Sequence, residues 1–441
     1  MAAKLSSVLR AVGPETIADL LSEGPLPPEA GIKAQGIRLE STRLQAPLCF
    51  WSVYAVEISG SASSPLWVTA KTFFDDSIFT HYAQQISMHY GDRVGDLLHP
   101  QGGIVIFPHK ATVVWSFPYD PALPGLAMAL ENSAVAPILG AAPDALRVET
   151  VRYTPEIGAM LRYLAGGETL AYGKASSQER GATAFAALSA LHLIQRRHQE
   201  RVRFPEPLGY LPEAKLMLQR PVPGRPLAGD RSSPRFAEAM EAAAAALVTI
   251  HTSAVPVGRP RLLEEELARL QGMLQEFPYT APQLYLALRK LLGHIESRGS
   301  KERLSPLVPS HGDFKYDQLL WDSQGFSLID FEYFCQAEAA FDVGYFCGYL
   351  PASSPTGWEE AAAAEDLRRR FLDAYAQAVG EIDMRRAVLY EAVALALRAT
   401  SHMWTQREGW QLRASFLIDL AFERLVSPRS PSWPGAENER R

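Results

Sequence analysis

The chain has 441 residues, 47% of them apolar and 21% charged, enough to bury two or three domain cores and too apolar for a disordered chain. Forty-three Lys plus Arg against 49 Asp plus Glu give a formal net charge of -6, which speaks against a nucleic-acid binder with its basic face. Cys49, Cys335 and Cys347 form no CxxC pair and no zinc spacing, so they read as small buried residues in a reducing compartment. No apolar run reaches the ~18 residues of a membrane span, and the opening residues lack a signal-peptide core. The cytoplasm is the expected location, with no membrane and no nucleic-acid partner.

In chain order, residues 1–30 read as a short amphipathic helix and a Pro-rich linker. Alternating apolar residues in CFWSVYAVEIS and LWVTAKTFF, split by the turn cluster SGSASSP, predict a hairpin over 37–74. A helix follows, then a strand pair around GGIVIFPHKATVVWSF and a Pro-punctuated segment. Residues 1–145 are therefore an expected N-terminal accessory α/β module, open to a protein partner.

A second meander starts near Leu146: RVETVRYTPEIGAMLRYLAG is strand, tight turn, strand, and ETLAYGKAS a third strand. The helix after it is expected to open with a capping box of Ser176 and Glu179. Another turn and strand end in QRPVPG, so 146–224 is a β-rich lobe closed by a Pro/Gly hinge. Residues 225–426 are mostly helical, interrupted by one hairpin in HGDFKYDQLLWDSQGFSLIDFEYF with SQG at its turn. Residues 427–441 read as a disordered tail. Glu264, Glu265 and Glu266 read as a solvated helix start, and Trp404 and Trp410 as core.

The chemistry sits in that hairpin. Asp313 precedes its first strand and Asp330 closes its second, so the two acids are expected in one site. Phosphoryl transfer needs such a pair, because the protein's task is positioning and charge neutralisation. One carboxylate takes the acceptor hydroxyl's proton and another holds Mg²⁺ against the phosphates.

HGDFKYDQLL followed by SLIDFEYFCQAEAAFDVGYF resembles the signature of the aminoglycoside phosphotransferase and choline kinase superfamily. The resemblance implies a two-lobed, protein-kinase-like α+β fold, with ATP and Mg²⁺ as cofactors and a small-molecule hydroxyl as acceptor. Asp313 then resembles the catalytic base and Asp330 the metal-holding Asp, while His311 and Asp342 resemble a buried pair that braces the catalytic loop. The family's metal-binding Asn falls on Gln318, whose carbonyl stands one methylene further out. Maltokinase-type sugar kinases are similar in that Gln and in Asp-Phe-Glu, which favours a sugar-like acceptor over amino alcohols or aminoglycosides and makes Glu332 a further candidate.

Lys174 resembles the strand lysine that contacts the α- and β-phosphates, with the turn at 153–158 over the phosphates and Gln219 at the hinge beside the adenine. Its helix partner is open: Glu179 is the nearby acid, and its capping role competes. Lys71, in VTAK, is a rival further from Asp313, and Lys174 is preferred. The weak Gly loop, the missing helix Glu and Gln318 leave an alternative reading, a nucleotide-binding pseudokinase or regulatory scaffold.

Overall fold

A computed structural model describes residues 34–45, 49–58, 66–91, 103–198, 202–227, 232–302, 304–351, 358–380, 382–405 and 408–426. The expected helix and linker of 1–30 and the tail after 426 lie outside these residues. The fold is mixed α+β, with strands gathered toward the N-terminus and helices toward the C-terminus. Its contacts divide it into two units, Met1–Ala182 with Leu208–Gln219, and Thr183–Pro207 with Arg220–Arg441.

The first unit opens with β1 (Ala34–Gln45), β2 (Cys49–Ile58) and β3 (Leu66–Phe73); β2 and β3 are the expected hairpin, and β1 adds a third antiparallel strand beside β2. Helix α1 (Asp76–Tyr90) is capped by the Asp75 carboxylate, which accepts from the Ser77 and Ile78 amides. Next, β4 (Ile104–Phe107) and β5 (Thr112–Ser116) complete a five-stranded sheet ordered β1-β2-β3-β5-β4. Two short helices, α2 (Leu126–Leu130) and α3 (Asn132–Leu139), lead into β6 (Leu146–Thr154), β7 (Gly158–Ala165) and β8 (Glu168–Ser176). In β7, Ala159, Leu161 and Tyr163 are buried while the residues beside them are only partly covered, the period of two that marks a strand with one core face.

Helix α4 (Arg180–His198) and the short strand β9 (Val202–Arg203) follow, and then β10 (Pro207–Leu211) and β11 (Leu216–Gln219) extend the second sheet in the order β10-β11-β8-β7-β6. That sheet shares a core with Leu123, Leu126, Ala129 and Val135 from the preceding segment. The expected capping box is corrected: Ser176 is the last residue of β8 and the helix begins at Arg180, so the pair cannot occupy its N-cap and third position. Glu179 instead accepts from Lys215 at 3.2 Å and from the Tyr210 hydroxyl at 3.1 Å.

The turn joining β6 to β7 is tied down by the N-terminal segment. Glu156, held at φ 60, forms an ion pair with Lys71 at 2.7 Å, the two side chains being 10% and 8% exposed. The Tyr82 hydroxyl adds a 2.8 Å bond to the same carboxylate. Asp120 accepts from the Glu156 amide at 2.7 Å and the Tyr153 hydroxyl at 2.8 Å, and Trp115 Nε1 donates to that hydroxyl at 2.9 Å. The rival lysine of the sequence therefore serves as a buried brace within this unit.

The second unit continues with β12 (Arg225–Pro226), α5 (Pro234–Thr252), α6 (Leu263–Met273), α7 (Pro282–Gly299) and β13 (Leu307–Ser310). The expected hairpin is β14 (Leu319–Asp322) and β15 (Gly325–Leu328), with β16 (Cys335–Glu338) just after it. The tiny strands β9 and β12 flank it in the order β12-β14-β15-β9, and β13 pairs with β16. Neither flanking pairing has a sequence signal, because two residues carry no periodicity. Helices α8 (Ala339–Tyr349), α9 (Trp358–Val379), α10 (Met384–Thr405) and α11 (Trp410–Val426) complete the unit. Buried ion pairs tie them together: Arg386 to Glu338, and Arg368 to Glu391 at 2.8 Å. All three cysteines are buried thiols, as expected, and no helix among the described residues is long and apolar enough to cross a membrane.

Removing one partner of a buried ion pair strands the other charge and costs about 3 kcal/mol or more. Lys71→Met is therefore expected to lower stability by roughly that amount, read from denaturant unfolding of the full chain. Burial pushes the Asp120 carboxyl up to about 6 from an ordinary 3.8. The native state then keeps a proton that the unfolded state has lost, so this group's stabilising contribution falls as pH rises from about 4 to about 6. In Asp120→Asn that part of the slope should disappear, which unfolding midpoints measured from pH 4 to 7 would check.

Candidate active site

The site begins where β13 ends. Gly312 sits at φ +83, and a Cβ there would lie 1.9 Å from the Tyr333 carbonyl oxygen, so only glycine lets the loop pass. The loop is held from below by Asp342 in the first turn of α8. Its carboxylate accepts the backbone amides of His311 at 2.6 Å and Gly312 at 2.9 Å, and His251 of α5 approaches it at 3.3 Å through Nε2. The Tyr375 hydroxyl, 2.7 Å from His251 Nδ1, can donate there, which leaves Nε2–H to donate to Asp342. Burial pushes the Asp342 carboxyl up, but the hydrogen bond from His251, with the loop amides, outweighs this and holds it below the ordinary carboxylate range.

The expected bracing pair, His311 and Asp342, is buried and meets through the backbone of the loop. Asp342 holds the backbone of His311, whereas the His311 imidazole reaches 3.2 Å to the Ile329 carbonyl and lies tilted against Phe331, 4.8 Å between ring centres. Burial lowers its pKa and keeps it neutral. The imidazole that meets Asp342 is His251, which lay in an unremarkable helical stretch about 90 residues upstream. A second brace grips the loop carbonyl: Arg261 donates to the Gly312 oxygen at 2.8 Å and to Glu266 at 2.5 Å, and Tyr345 also donates to Glu266. Glu266 is only 2% exposed, so the reading of 264–266 as a solvated helix start fails at its third residue. Three successive acids gave no hint that one would turn inward.

Asp313 and Asp330 come together on one amide. Gln318 Nε2 lies 3.5 Å from Asp313 Oδ2 and 3.5 Å from Asp330 Oδ2. Asp330 follows β15 in a left-handed backbone conformation, φ 80 and ψ 56, a strained placement for a residue with a side chain. Lys315, which the motif reading passed over, puts Nζ 2.6 Å from Asp313 Oδ2. Burial pushes the Asp313 carboxyl up; Lys315 pulls it back, with the balance still upward. A cation two residues after the acid on an irregular loop was the available signal. Glu332 is half-buried one short turn beyond Asp330.

These oxygens are of the hard type that Mg²⁺ takes, and Mg²⁺ commonly uses one or two carboxylates and completes its shell with phosphates and water. Asp330 fits that role. Gln318 fits it less well, since its Oε1 accepts the Lys315 amide at 3.0 Å and its Nε2 faces the carboxylates. Among the described residues no group of three or more His, Cys, Asp and Glu could hold a metal.

Lys174 and Gln219 lie in the first unit, on the adjacent antiparallel strands β8 and β11, and Lys174 pairs in register with Met217. Gln219 is 8% exposed and ends its strand.

A loop acid held at both backbone ends, beside a second acid and a lysine, is equipped to position and deprotonate a hydroxyl next to a metal-bound phosphate. The model of the phosphotransferase enzyme family matches residues 174–390, a span that takes in every site residue named above. None of the curated proteins matches the chain.

Solved structures with likeness to this chain include a choline/ethanolamine kinase family protein from Mesorhizobium loti, 16% identical over 67% of this chain and 94% of that one, with a TM-score of 0.47. A choline kinase from Cryptosporidium parvum Iowa II is 12% identical over 64% and 89%, at 0.46. A spectinomycin phosphotransferase in complex with ADP and spectinomycin is 13% identical over 63% and 92%, at 0.44.

Asp342→Asn would place an amide NH₂ against backbone donors. The variant is expected to lose about 2–4 kcal/mol of stability, and its stability gap to wild type should shrink as pH falls below about 4, because a carboxylate with a lowered pKa stabilises only above its unfolded range. Urea unfolding at pH 3 and pH 7 checks both.

Proposed function

We propose that this protein is a phosphotransferase that moves the γ-phosphate of ATP to a hydroxyl group of a small molecule, with Mg²⁺ as the required ion. The observation that carries the reading is the convergence of Asp313, Asp330 and Lys315 around Gln318 on a loop fixed by Asp342. Asp313 accepts the hydroxyl proton as the acceptor oxygen bonds to the γ-phosphorus, and the bond from that phosphorus to the β–γ bridging oxygen breaks, with ADP taking the electron pair. Lys315, in contact with Asp313, holds positive charge where the transferring group gains negative charge. Asp330 holds the metal, and Glu332 lies near enough in sequence to assist it. When bound, Mg²⁺ supplies charge neutralisation of the phosphates. Lys174 and Gln219 are the proposed nucleotide contacts, on the strength of the motif resemblance.

A weaker nucleotide-binding scaffold is the second reading, favoured by one feature: the Gln318 carbonyl is engaged by the Lys315 amide and so is turned from a ligand's position. The two readings separate on Asp313→Asn. For the enzyme, Mg²⁺-dependent ATP consumption should fall at least about 100-fold while nucleotide binding, followed by calorimetry, persists. ATP binding with no turnover in the parent chain selects the scaffold.

The acidic limb of the pH–rate profile supplies another test. Because burial raises the Asp313 carboxyl and Lys315 lowers it, activity should fall as pH drops through a range above that of an ordinary carboxylate. Lys315→Met removes the lowering charge, so the limb should move to higher pH. A limb that stays in place in this variant argues against Asp313 as the titrating base.

A further inference from the structure

The segment before β6 takes no part in the chemistry proposed above, yet it is fastened to the turn that joins β6 to β7, and that turn lies beside Lys174. Gly158 and Met160, the first and third residues of β7, pair with Ser176 and Lys174 of β8. The Ser177 amide donates to the Ile157 carbonyl at 3.0 Å, and a Cβ on Gly158 would lie 2.6 Å from the Ala175 carbonyl oxygen. Opposed residues on neighbouring strands share a face, so Lys174 shares its face with Met160 on one side and Met217 on the other. Two residues along a strand span about 7 Å, which puts the turn at the phosphate end of any nucleotide whose phosphates meet Lys174.

Left to its own residues, the turn would be a poor cover for phosphates. Its central residue is an acid, Glu156, held at φ 60, and an unpaired carboxylate there would repel a polyphosphate. The pairing comes from the N-terminal segment. Lys71 Nζ of β3 lies 2.8 and 2.7 Å from the two Glu156 oxygens, and the Tyr82 hydroxyl of α1 donates to one of them at 2.8 Å. The same Nζ sits 4.5 Å from the centre of the Tyr82 ring, so the ammonium is fixed from two sides. The backbone is held separately: Asp120 accepts the Glu156 amide at 2.7 Å and the Tyr153 hydroxyl at 2.8 Å, and Trp67 of β3 stacks on Tyr153 at 5.9 Å between ring centres. All of these residues belong to the same unit as β8.

None of this is needed to close the hairpin, whose own ladder runs up to Thr154 opposite Gly158. A buried ion pair adds little net stability but demands one geometry. Lys71 and its neighbours therefore supply a fixed place for the turn and a cancelled charge at its centre.

We infer that the N-terminal segment sets the affinity for the phosphates of the nucleotide: Lys71 and Tyr82 hold the turn beside Lys174 and keep the Glu156 carboxylate from repelling them. Both are positioning residues that act through Glu156. The inference rests on the phosphotransfer reading, and within it on the Lys174 contact, and it gives the N-terminal segment its part in that reading.

The test measures dissociation constants on the full chain by calorimetry, for MgATP directly and for adenosine by competition against it. In Lys71→Met, MgATP should bind about tenfold more weakly, while adenosine, which has no phosphate, stays within about twofold of the parent. Tyr82→Phe removes one hydrogen bond and keeps the ring beside the ammonium, so it should show the same selective loss at about threefold. This milder variant decides the matter should Lys71→Met fail to fold. MgATP weakened no more than adenosine in the folded variants, while Lys174→Met still loses MgATP affinity, overturns the inference alone. MgATP bound by Lys174→Met as by the parent removes the Lys174 contact and the inference with it, but leaves the roles of Asp313 and Asp330 standing. A parent chain that binds no MgATP overturns the phosphotransfer reading and the inference together.

Discussion

One carboxylate fixes the loop that carries Asp313. Asp342 is fully buried, and it stays ionised there because two consecutive backbone amides and an imidazole all donate to it. A buried charge with three donors is stable where an unsatisfied one would cost several kcal/mol. Because those amides belong to His311 and Gly312, the anchor sets the direction in which the chain leaves the strand and hence where the Asp313 side chain emerges. Arg261 grips the next carbonyl along, so the loop is held by its polar backbone atoms on both sides. Side-chain packing alone would leave more freedom, since apolar contacts are not directional.

Around that anchor the helical unit spends most of its buried charge on rigidity. Arg261 with Glu266, Arg386 with Glu338 and Arg368 with Glu391 are all pairs in which both partners are nearly inaccessible. Such pairs are weak evidence for stability but demand one geometry. Asp330 adds a second constraint of the same kind, a left-handed residue with a side chain, kept in place by the hairpin before it and the turn after it. Strain that persists at a site is commonly part of how the site is pre-organised. The N-terminal unit uses the same device: Lys71 and Asp120 fasten the turn between β6 and β7 from outside its own sheet.

The sequence by itself determined much of the local order. Alternation and turn residues placed the meanders and the hairpin of β14 and β15, and the spacing of Asp313 and Asp330 across that hairpin required that they come close, because a short antiparallel pair returns the chain to where it began. The family motif selected the chemistry. What only the tertiary structure decided were the partners supplied by remote segments: His251 for Asp342, Arg261 and Glu266 for the loop, Arg398 beside Tyr349, and Glu156 for Lys71. Each of these lies on a helix or turn whose own pattern reads as surface or core, and nothing in a single sequence reports which distant side chain a buried charge will meet. Secondary structure and hairpin closure follow from neighbours along the chain, whereas the neutralisation of buried charge depends on which helices pack together, and that is settled only when the whole core forms.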